Sequence, residues 1–482
     1  MAGSFTGSGY DLQPSAQQVP VESNYITDFD FLNQYLPDTY QREFSKYGNR
    51  SISSFMKLTS AELPSTSDMI KWTEEGRLHI KYTQCGIATG TVNDDTAVIQ
   101  VNDTGVPAFT TSNAQVMRVG QNVVVIQNNG SGENKGVVTA ADISASAITF
   151  TVAFYEATGL VTAGTGVGNA DVTVFIYGSE FQKGTAGMNG SLEADTNFLE
   201  NSPIILKDSY EVSGSDMAQI GWVEVSTDAG AGFLWYLKSE GDTRMRFDDY
   251  LETSAIEAVP AELASGPNPS GAYTAGYKGS DGVFYAVNNR GNLWTGGNPT
   301  SLSEFDTLVG RLDSEGAIEE NAIFLDRQFG FDIDDMLATQ NSYGAGGTSY
   351  GMFQNDEKMA LNLGFSGFRR GYDFYKTDWK YLNDPTMRGQ NVGGSGSGAI
   401  NGLLVPAGTT NVYDQVMGAN AKRPFLHVIY RASQTEDRRY KTWITGSAGG
   451  AKTNNIDTME VNFLSERCTC TLGANNFVLF ED

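Results

Sequence analysis

The chain has two histidines and three cysteines in 482 residues, and only 18% of its residues are charged. Two histidines, His79 and His427, exclude a His-rich metal cage, and a Ser/His/Asp triad would have to use one of them. His427 lies in the apolar run FLHVIY, where a hydrogen-bonded core histidine is the expected role. The cysteines make no disulfide framework: Cys85 stands alone, and Cys468 and Cys470 share one face of a strand, an awkward geometry for a bond. They read as reduced structural thiols of an intracellular product. No apolar stretch approaches the ~20 residues of a membrane helix, and the longest resemble Val123 to Ile126. The amino terminus, MAGSFTGSGYDLQPSAQQVP, has no basic cluster and no apolar run, so it reads as neither signal peptide nor anchor. Positive charge is scarce as well. Lys and Arg number 32 against 57 Asp and Glu, a formal charge of -25 that argues against the chain as a whole binding nucleic acid or an anionic membrane.

Motifs of chemistry are missing too. No G-x-x-x-x-G-K-[ST] occurs, and Gly164-Thr165-Gly166-Val167-Gly168 lacks both the dinucleotide spacing and a following helix. Asp332, Asp334 and Asp335 lack the glycine and twelfth-position glutamate of a calcium loop, and read as solvated charges at a helix start. Asp208, Glu211 and Glu224 are weighed as an acid/base pair and set aside as ordinary carboxylates of an acidic chain. No catalytic, cofactor-binding or metal-ligating residue is assigned. An empty search points towards a structural role.

What is present is glycine and aromatics: 55 Gly, 22 Tyr and 26 Phe. This mixture predicts many turns and large packing surfaces within or between subunits. Met1 to Val21 reads as an extended arm with little to bury. Aromatics then thicken through Tyr25, Phe29 and Phe31, and Tyr40, Phe44 and Tyr47 predict a short helix from Asp38 to about Lys46. Such an arm needs a surface, either its own domain or a neighbouring subunit. Leu78, Ile80 and Tyr82 predict strand alternation, and from Cys85 to Gly178 short β runs with almost no helical pattern predict a small barrel or sandwich. Gly184 to Asn201 reads as a polar loop. Ile204 to Val212 predicts a strand broken at Ser213-Gly214-Ser215, and Phe233, Leu237, Phe247, Leu251 and Ala255 predict a long helix from about Asp228 to Ala258. Further on, Gly266 to Gly297 reads as strands with tight turns, Ser301 to Gly310 and Asp332 to Leu337 as helices, and Asn321 to Phe324, Thr377 to Pro385, Phe425 to Tyr430 and Phe463 to Phe480 as strand signals. Gly389 to Gly398 is the expected mobile loop. Arg369-Arg370 and the group Arg431, Arg438, Arg439 and Lys441 hold the concentrated positive charge. In so acidic a chain, ion pairing between subunits is favoured over contact with DNA.

Several segments jointly resemble the major capsid proteins of tailed double-stranded DNA phages: SDMIKWTEEGRL from Ser67, the stretch from Gly184 ending in ILKDSYEVSG, the long helix after it, TDWKYLNDP at Thr377, and RRYKTWITGS followed by GANNFVLF. Length and aromatic texture look most like the crAss-like phages. The resemblance implies an α+β, Hong Kong 97-type capsid fold. It would comprise an N-terminal arm (1–64), extended loop strands (65–84 and 179–215), an inserted β-barrel or sandwich module (85–178), a peripheral domain with the spine helix (216–300), and an axial domain with return strands (301–482). It further implies hexamers and pentamers of an icosahedral head, portal and other head proteins as partners, non-specific contact with packaged DNA, no membrane and no cofactor. Tyr25, Phe29, Phe31, Trp72, Arg438, Arg439 and Lys441 are the expected subunit-interface residues. No Lys/Asn pair for covalent cross-linking and no processed amino-terminal segment stands out. The competing reading is a β-rich surface or adhesion protein, which the missing export signal and the long helix oppose.

Overall fold

In the computed structural model, the described residues are Phe55 and 61–481, apart from 90–94, 102–115, 129–131, 145–146, 157–171, 191–195, 219–224, 228–229, 233–234, 262–269, 341–366, 390–399, 415–418 and 451. They form two compact units, one of Thr73–Leu199 and the other of the described residues up to Trp72 with those from Glu200 onward. The arm as far as Val21, the helix expected at Asp38 to Lys46, the Gly164 to Gly168 loop and most of the Gly389 to Gly398 loop lie outside the described residues.

The chain enters with β1 (Ala61–Ser65) and β2 (Ile70–Glu75). Next come β3 (Lys81–Thr89), β4 (Thr96–Val101), β5 (Gln121–Gln127), β6 (Glu133–Ser144), β7 (Ala147–Phe154) and β8 (Val172–Ser179), which close in the order β3-β4-β7-β6-β5-β8. Every pairing in this barrel is antiparallel, and closure leaves no open edge. Period-2 alternation builds its interior: Ala97 and Ile99, Val123 and Val125, Phe150 and Val152, and Val172 and Val174 all join one core with Tyr82 and Cys85. The first barrel strand starts at Lys81. Leu78 and Ile80, expected within a strand, precede it in a bend after Gly76 and are exposed, Leu78 at 84%. Only Tyr82 of that trio turns inward, and its hydroxyl accepts the Val116 N–H at 3.1 Å.

β9 (Thr196–Asn201), in the stretch read as a polar loop, pairs with β2 in a two-stranded ribbon. β10 (Ile204–Ser213) follows and ends where expected, with Ser213 capping a single helical turn, α1 (Gly214–Met217). A hairpin of β11 (Val225–Thr227) and β12 (Gly230–Gly232) precedes the long helix, α2 (Trp235–Glu257). The helix therefore starts seven residues later than expected. Each glycine in a helix interior costs ~1 kcal/mol relative to alanine, and Gly230 and Gly232 sit in the hairpin instead. Gly241 is inside the helix without breaking it.

After α3 (Gly271–Thr274) come α4 (Val283–Arg290), β13 (Asn292–Trp294), α5 (Leu302–Glu315), β14 (Glu320–Leu325), α6 (Arg327–Gln340), β15 (Gly367–Arg370), β16 (Tyr372–Asp378) and α7 (Lys380–Asn383). The last elements are β17 (Ile400–Pro406), the hairpin β18 (Thr409–Asp414) and β19 (Ala419–Pro424), then β20 (Leu426–Arg431), β21 (Lys441–Gly446), β22 (Thr458–Thr471) and β23 (Val478–Glu481).

Three expectations are corrected here. Within the described part of the Gly266 to Gly297 stretch, the strand β13 forms, but α3 and α4 stand where further strands were expected, and Val283, Phe284, Ala286 and Val287 bury one face of α4. The second late helix begins at Arg327, not Asp332, because Asp326 caps it by accepting the Phe329 N–H at 2.7 Å. TDWKYLNDP is the end of a strand followed by a helical turn, which turns Trp379 into the core. The helix expected over Ser301 to Gly310 forms with a capping box of Ser301 and Glu304 at its start, and it runs on to Glu315, where Gly316 ends it with φ +70°.

Two sheets organise the larger unit. β1, β20, β22 and β10 are neighbours in one, with β21 also paired to β22. Helix α2 lays Phe247 and Leu251 on Val212, Met459, Val461 and Phe463 of that sheet. The other is the mixed sheet β13-β23-β17-β14-β16-β15, buried on both faces. On one face Phe324, Leu403 and Leu479 meet Val283, Phe284 and Trp379; on the other Ile323, Leu404 and Phe480 meet Phe305, Leu312 and Phe329. Phe55 enters the first of these cores. Its ring stacks on Trp379 at 4.8 Å and meets Phe324 edge-on at 4.6 Å, while its N–H donates to Glu252 Oε1 of α2 at 3.1 Å.

Phe55→Ala is expected to cost about 3 to 5 kcal/mol, as for a large aromatic removed from a close-packed core. Urea denaturation checks this, and a loss below ~1 kcal/mol would mean that Phe55 is not a structural anchor. A second expectation concerns His427, which is 2% exposed and held neutral, its pKa pushed down by burial to about 4 from 6.5. Because the folded value lies below the unfolded one, its contribution is full above pH 6.5 and is lost as pH falls towards 4. Over that window the wild type should lose about 3 kcal/mol more than His427→Gln; parallel stability curves for the two proteins would contradict it.

Candidate functional site

His427 Nδ1 lies 3.1 Å from the Pro424 carbonyl in the core, and Cys85, Cys468 and Cys470 are buried and form no disulfide. Hydrogen bonding to Cys468, with burial, pushes the Cys470 thiol far up, which makes it inert as a nucleophile. Among the described residues, no three His, Cys, Asp or Glu are placed to hold a metal. Asp208, Asp332 and Asp334, among the carboxylates weighed from sequence, have structural partners. Asp208 on β10 takes both Nε and Nη2 of Arg246 on α2 at 2.9 and 3.0 Å, docking the long helix onto its sheet. Asp334, mid-helix, meets Lys376 at 2.6 Å, and Asp332 accepts from Asn298 and Gln328. Glu211 is exposed at the edge of β10, and Glu224 lies outside the described residues.

The basic group gathers around β22, which carries Ser465, Glu466 and Arg467 buried side by side. Glu466 meets Arg431 Nη1 at 3.1 Å and Arg438 Nε at 2.7 Å. Arg431 also pairs with Asp68, and Arg439 with Glu62 of β1. Arg467 donates to Ser465 Oγ at 2.8 Å, to the Arg439 carbonyl at 2.9 Å and to Glu62 Oε1 at 3.3 Å. Burial pushes its pKa down, and Glu62 opposes that. Lys441 pairs with Glu436 and lies over the Trp443 ring at 5.9 Å. Arg438, Arg439 and Lys441 are thus brought together, each on a carboxylate of its own chain. Arg369 and Arg370 likewise meet Asp373 and Asp306. Sequence reasoning named these bases and missed their acids. The Ser-Glu-Arg interruption inside the apolar strand VNFLSERCTC was the available signal.

Two residues at the base of the β2/β9 ribbon form a second group. Asn201, the last residue of β9, is buried with its amide saturated. Its Nδ2 donates to the Thr469 carbonyl at 2.5 Å and the Asp281 carbonyl at 3.0 Å; its Oδ1 accepts from Ser202 N, Ser280 Oγ and Asp281 N at 2.8, 3.0 and 2.8 Å. Trp72 of β2, expected at a subunit interface, packs against Ile429, Cys468 and Cys470 and lies under Arg290 at 5.7 Å. Arg290 in turn pairs with Asp281 at 3.0 Å. Burial pushes the Asp281 carboxyl up against the opposing pull of Arg290. No sequence pattern flags Asn201. Near the ribbon strands, Met69, Leu78 and Phe198 are large apolar side chains left in solvent, Phe198 at 76% exposure. Tyr25, Phe29 and Phe31 lie outside the described residues.

No protein-family model matches the chain, and no curated protein matches it. Among solved structures, it is similar to a chain from Microbacterium phage Oxtober96, at 9% identity over 92% of this chain and 95% of that one, with a TM-score of 0.38. It is also similar to a capsid chain of a native GTA particle (9% identity, 93% and 96% covered, TM-score 0.37) and to a chain of the holo-SrpI encapsulin complex of Synechococcus elongatus (11% identity, 60% and 77% covered, TM-score 0.33).

Asn201→Ala leaves buried carbonyl and N–H groups without partners, and each such group costs about 1 to 3 kcal/mol. The variant should lose about 3 kcal/mol of stability in urea titration, whereas Asn197→Ala, exposed on the same strand, should lose less than ~0.5 kcal/mol. Equal effects at the two positions would remove Asn201 from this role.

Proposed function

We propose that this chain is the major capsid protein of a tailed double-stranded DNA phage, a structural protein without catalytic activity that assembles into hexamers and pentamers of an icosahedral head. The observation that carries the reading is the order of parts along the chain. A two-stranded ribbon of β2 and β9 leads into β10 and the long helix α2 on one sheet; a mixed sheet with helices follows, and β20 to β22 return to the first sheet. That order supports the one the sequence resemblance implies for extended loop, peripheral domain, axial domain and return strands. The division into arm (1–64), loop strands (65–84 and 179–215), inserted β module (85–178), peripheral domain (216–300) and axial domain (301–482) belongs to this proposal, as does a crAss-like affiliation.

Interface roles for Tyr25, Phe29, Phe31 and Trp72 are proposed on the same footing, as are portal and other head proteins as partners. The exposed apolar side chains Leu78 and Phe198 support an inter-subunit role for the ribbon region, since a second copy would remove them from water. Arg438, Arg439 and Lys441 keep part of their surface in solvent beyond their intrachain partners, and a neighbouring carboxylate is the contact proposed for them. With a formal charge of -25, contact with packaged DNA is local and non-specific.

Removing residues 1–36 should abolish or sharply reduce assembly in analytical ultracentrifugation while leaving the urea midpoint of the chain nearly unchanged. Aromatic anchors at an interface are each worth ~2 kcal/mol or more. A truncated chain that assembles normally, or that unfolds outright, would remove the arm from the subunit interface.

A further inference from the structure

We propose that Asn189 is a site of spontaneous deamidation, assisted by the guanidinium of Arg118. Asn189-Gly190 lies in residues 181–190, which are exposed throughout and belong to no helix or strand. Glycine is the follower that obstructs least, because no Cβ shields its backbone nitrogen. Gly190 has φ +91°, and a Cβ built on it would lie 3.0 Å from Arg118 Nε and 3.9 Å from Cζ, so the guanidinium rests against this peptide. Arg118 is itself fixed by donating to the Met117 carbonyl at 3.1 Å, and neighbouring Gln121 Nε2 lies 4.0 Å from Met188 Sδ.

The reaction balances without an oxidant or cofactor. Gly190 N gives its proton to solvent base and attacks Cγ of Asn189; the new C–N bond closes a succinimide, and ammonia leaves carrying protons from solvent. Water then opens the ring at either carbonyl to give aspartate or isoaspartate. The net change is one water consumed and one ammonia released. A cation beside the peptide favours both the deprotonated nitrogen and the oxyanion of the tetrahedral intermediate. It then pairs with the product carboxylate, tying the 181–190 segment to the start of β5. The modification adds one negative charge to each chain.

The molecule contains its own control. Asn401-Gly402 is the same dipeptide, but it lies in β17, where the Asn401 carbonyl accepts the Asp326 N–H at 2.9 Å and its Nδ2 donates to Asn298 Oδ1 at 2.9 Å. Gly402 is buried in the ladder between Leu325 and Phe480. Extended, hydrogen-bonded backbone keeps that nitrogen away from its neighbour's side chain.

The test ages the purified full-length chain at mildly alkaline pH and follows both sites by peptide mass spectrometry with isoaspartate detection. Asn189 should convert while Asn401 does not. Arg118→Gln should slow conversion at Asn189 by about threefold to tenfold, the scale of a partly screened charge, and Arg118→Lys should retain most of the rate. Circular dichroism confirms that both variants are folded. Conversion at Asn189 no faster than at Asn401 would overturn the site. An unchanged rate in Arg118→Gln, or an equal loss in Arg118→Lys, would overturn the role of the guanidinium charge.

Discussion

The constraint on which the larger unit turns is the burial of a polar strand. From Phe463 to Thr471, β22 is buried, yet it carries Ser465, Glu466, Arg467, Thr469 and Thr471. Two adjacent charges removed from water cost several kcal/mol each unless their remaining hydrogen-bonding capacity is met. The surrounding elements meet it. Arg431 hydrogen-bonds Glu466 and Arg438 adds a second positive charge beside it; Glu62 on β1, with Ser465 and the Arg439 carbonyl, satisfies Arg467. Thr469 serves two neighbours: its hydroxyl donates to the Ala255 carbonyl near the end of α2, and its own carbonyl receives Asn201 at the base of the ribbon. One strand therefore fixes the place of β1, of the long helix and of the ribbon base through polar contacts that demand specific partners.

The mixed sheet is held differently. Successive residues of β14, β17 and β23 face opposite cores, so each strand is hydrophobic on both sides and needs helices on both faces. Hydrophobic burial is tolerant of exact geometry, whereas the ionic arrangement on β22 is not. Phe55 joins the tolerant half through Trp379 and Phe324, and α2 through Glu252.

Much of this was legible in the sequence wherever local chemistry decided the outcome. Alternation gave the barrel strands around Val123 to Ile126 and Ile148 to Val152, and the stretch from Ser301 read as the helix that α5 is. Errors arose where long-range packing overruled a local signal. Val283 to Arg290, rich in residues favoured in strands, is helical because one face meets the Trp379 core. Leu78 and Ile80 alternate like a strand but lie outside one. The basic residues from Arg431 to Lys441 stood out as a cluster, but their partners Glu62 and Glu466 are distant in sequence or masked within an apolar run. Asn201 was invisible for the same reason: its importance resides in Asp281, Ser280 and Thr469, which only the fold brings to it.

A chain whose described chemistry is committed to internal pairing, and whose exposed apolar side chains include Leu78 and Phe198, is suited to packing against copies of itself. The most direct measurement is electron microscopy of the purified full-length chain at micromolar concentration. The account predicts closed shells, or rings of six and five subunits; a uniform population of monomers across salt conditions would contradict it.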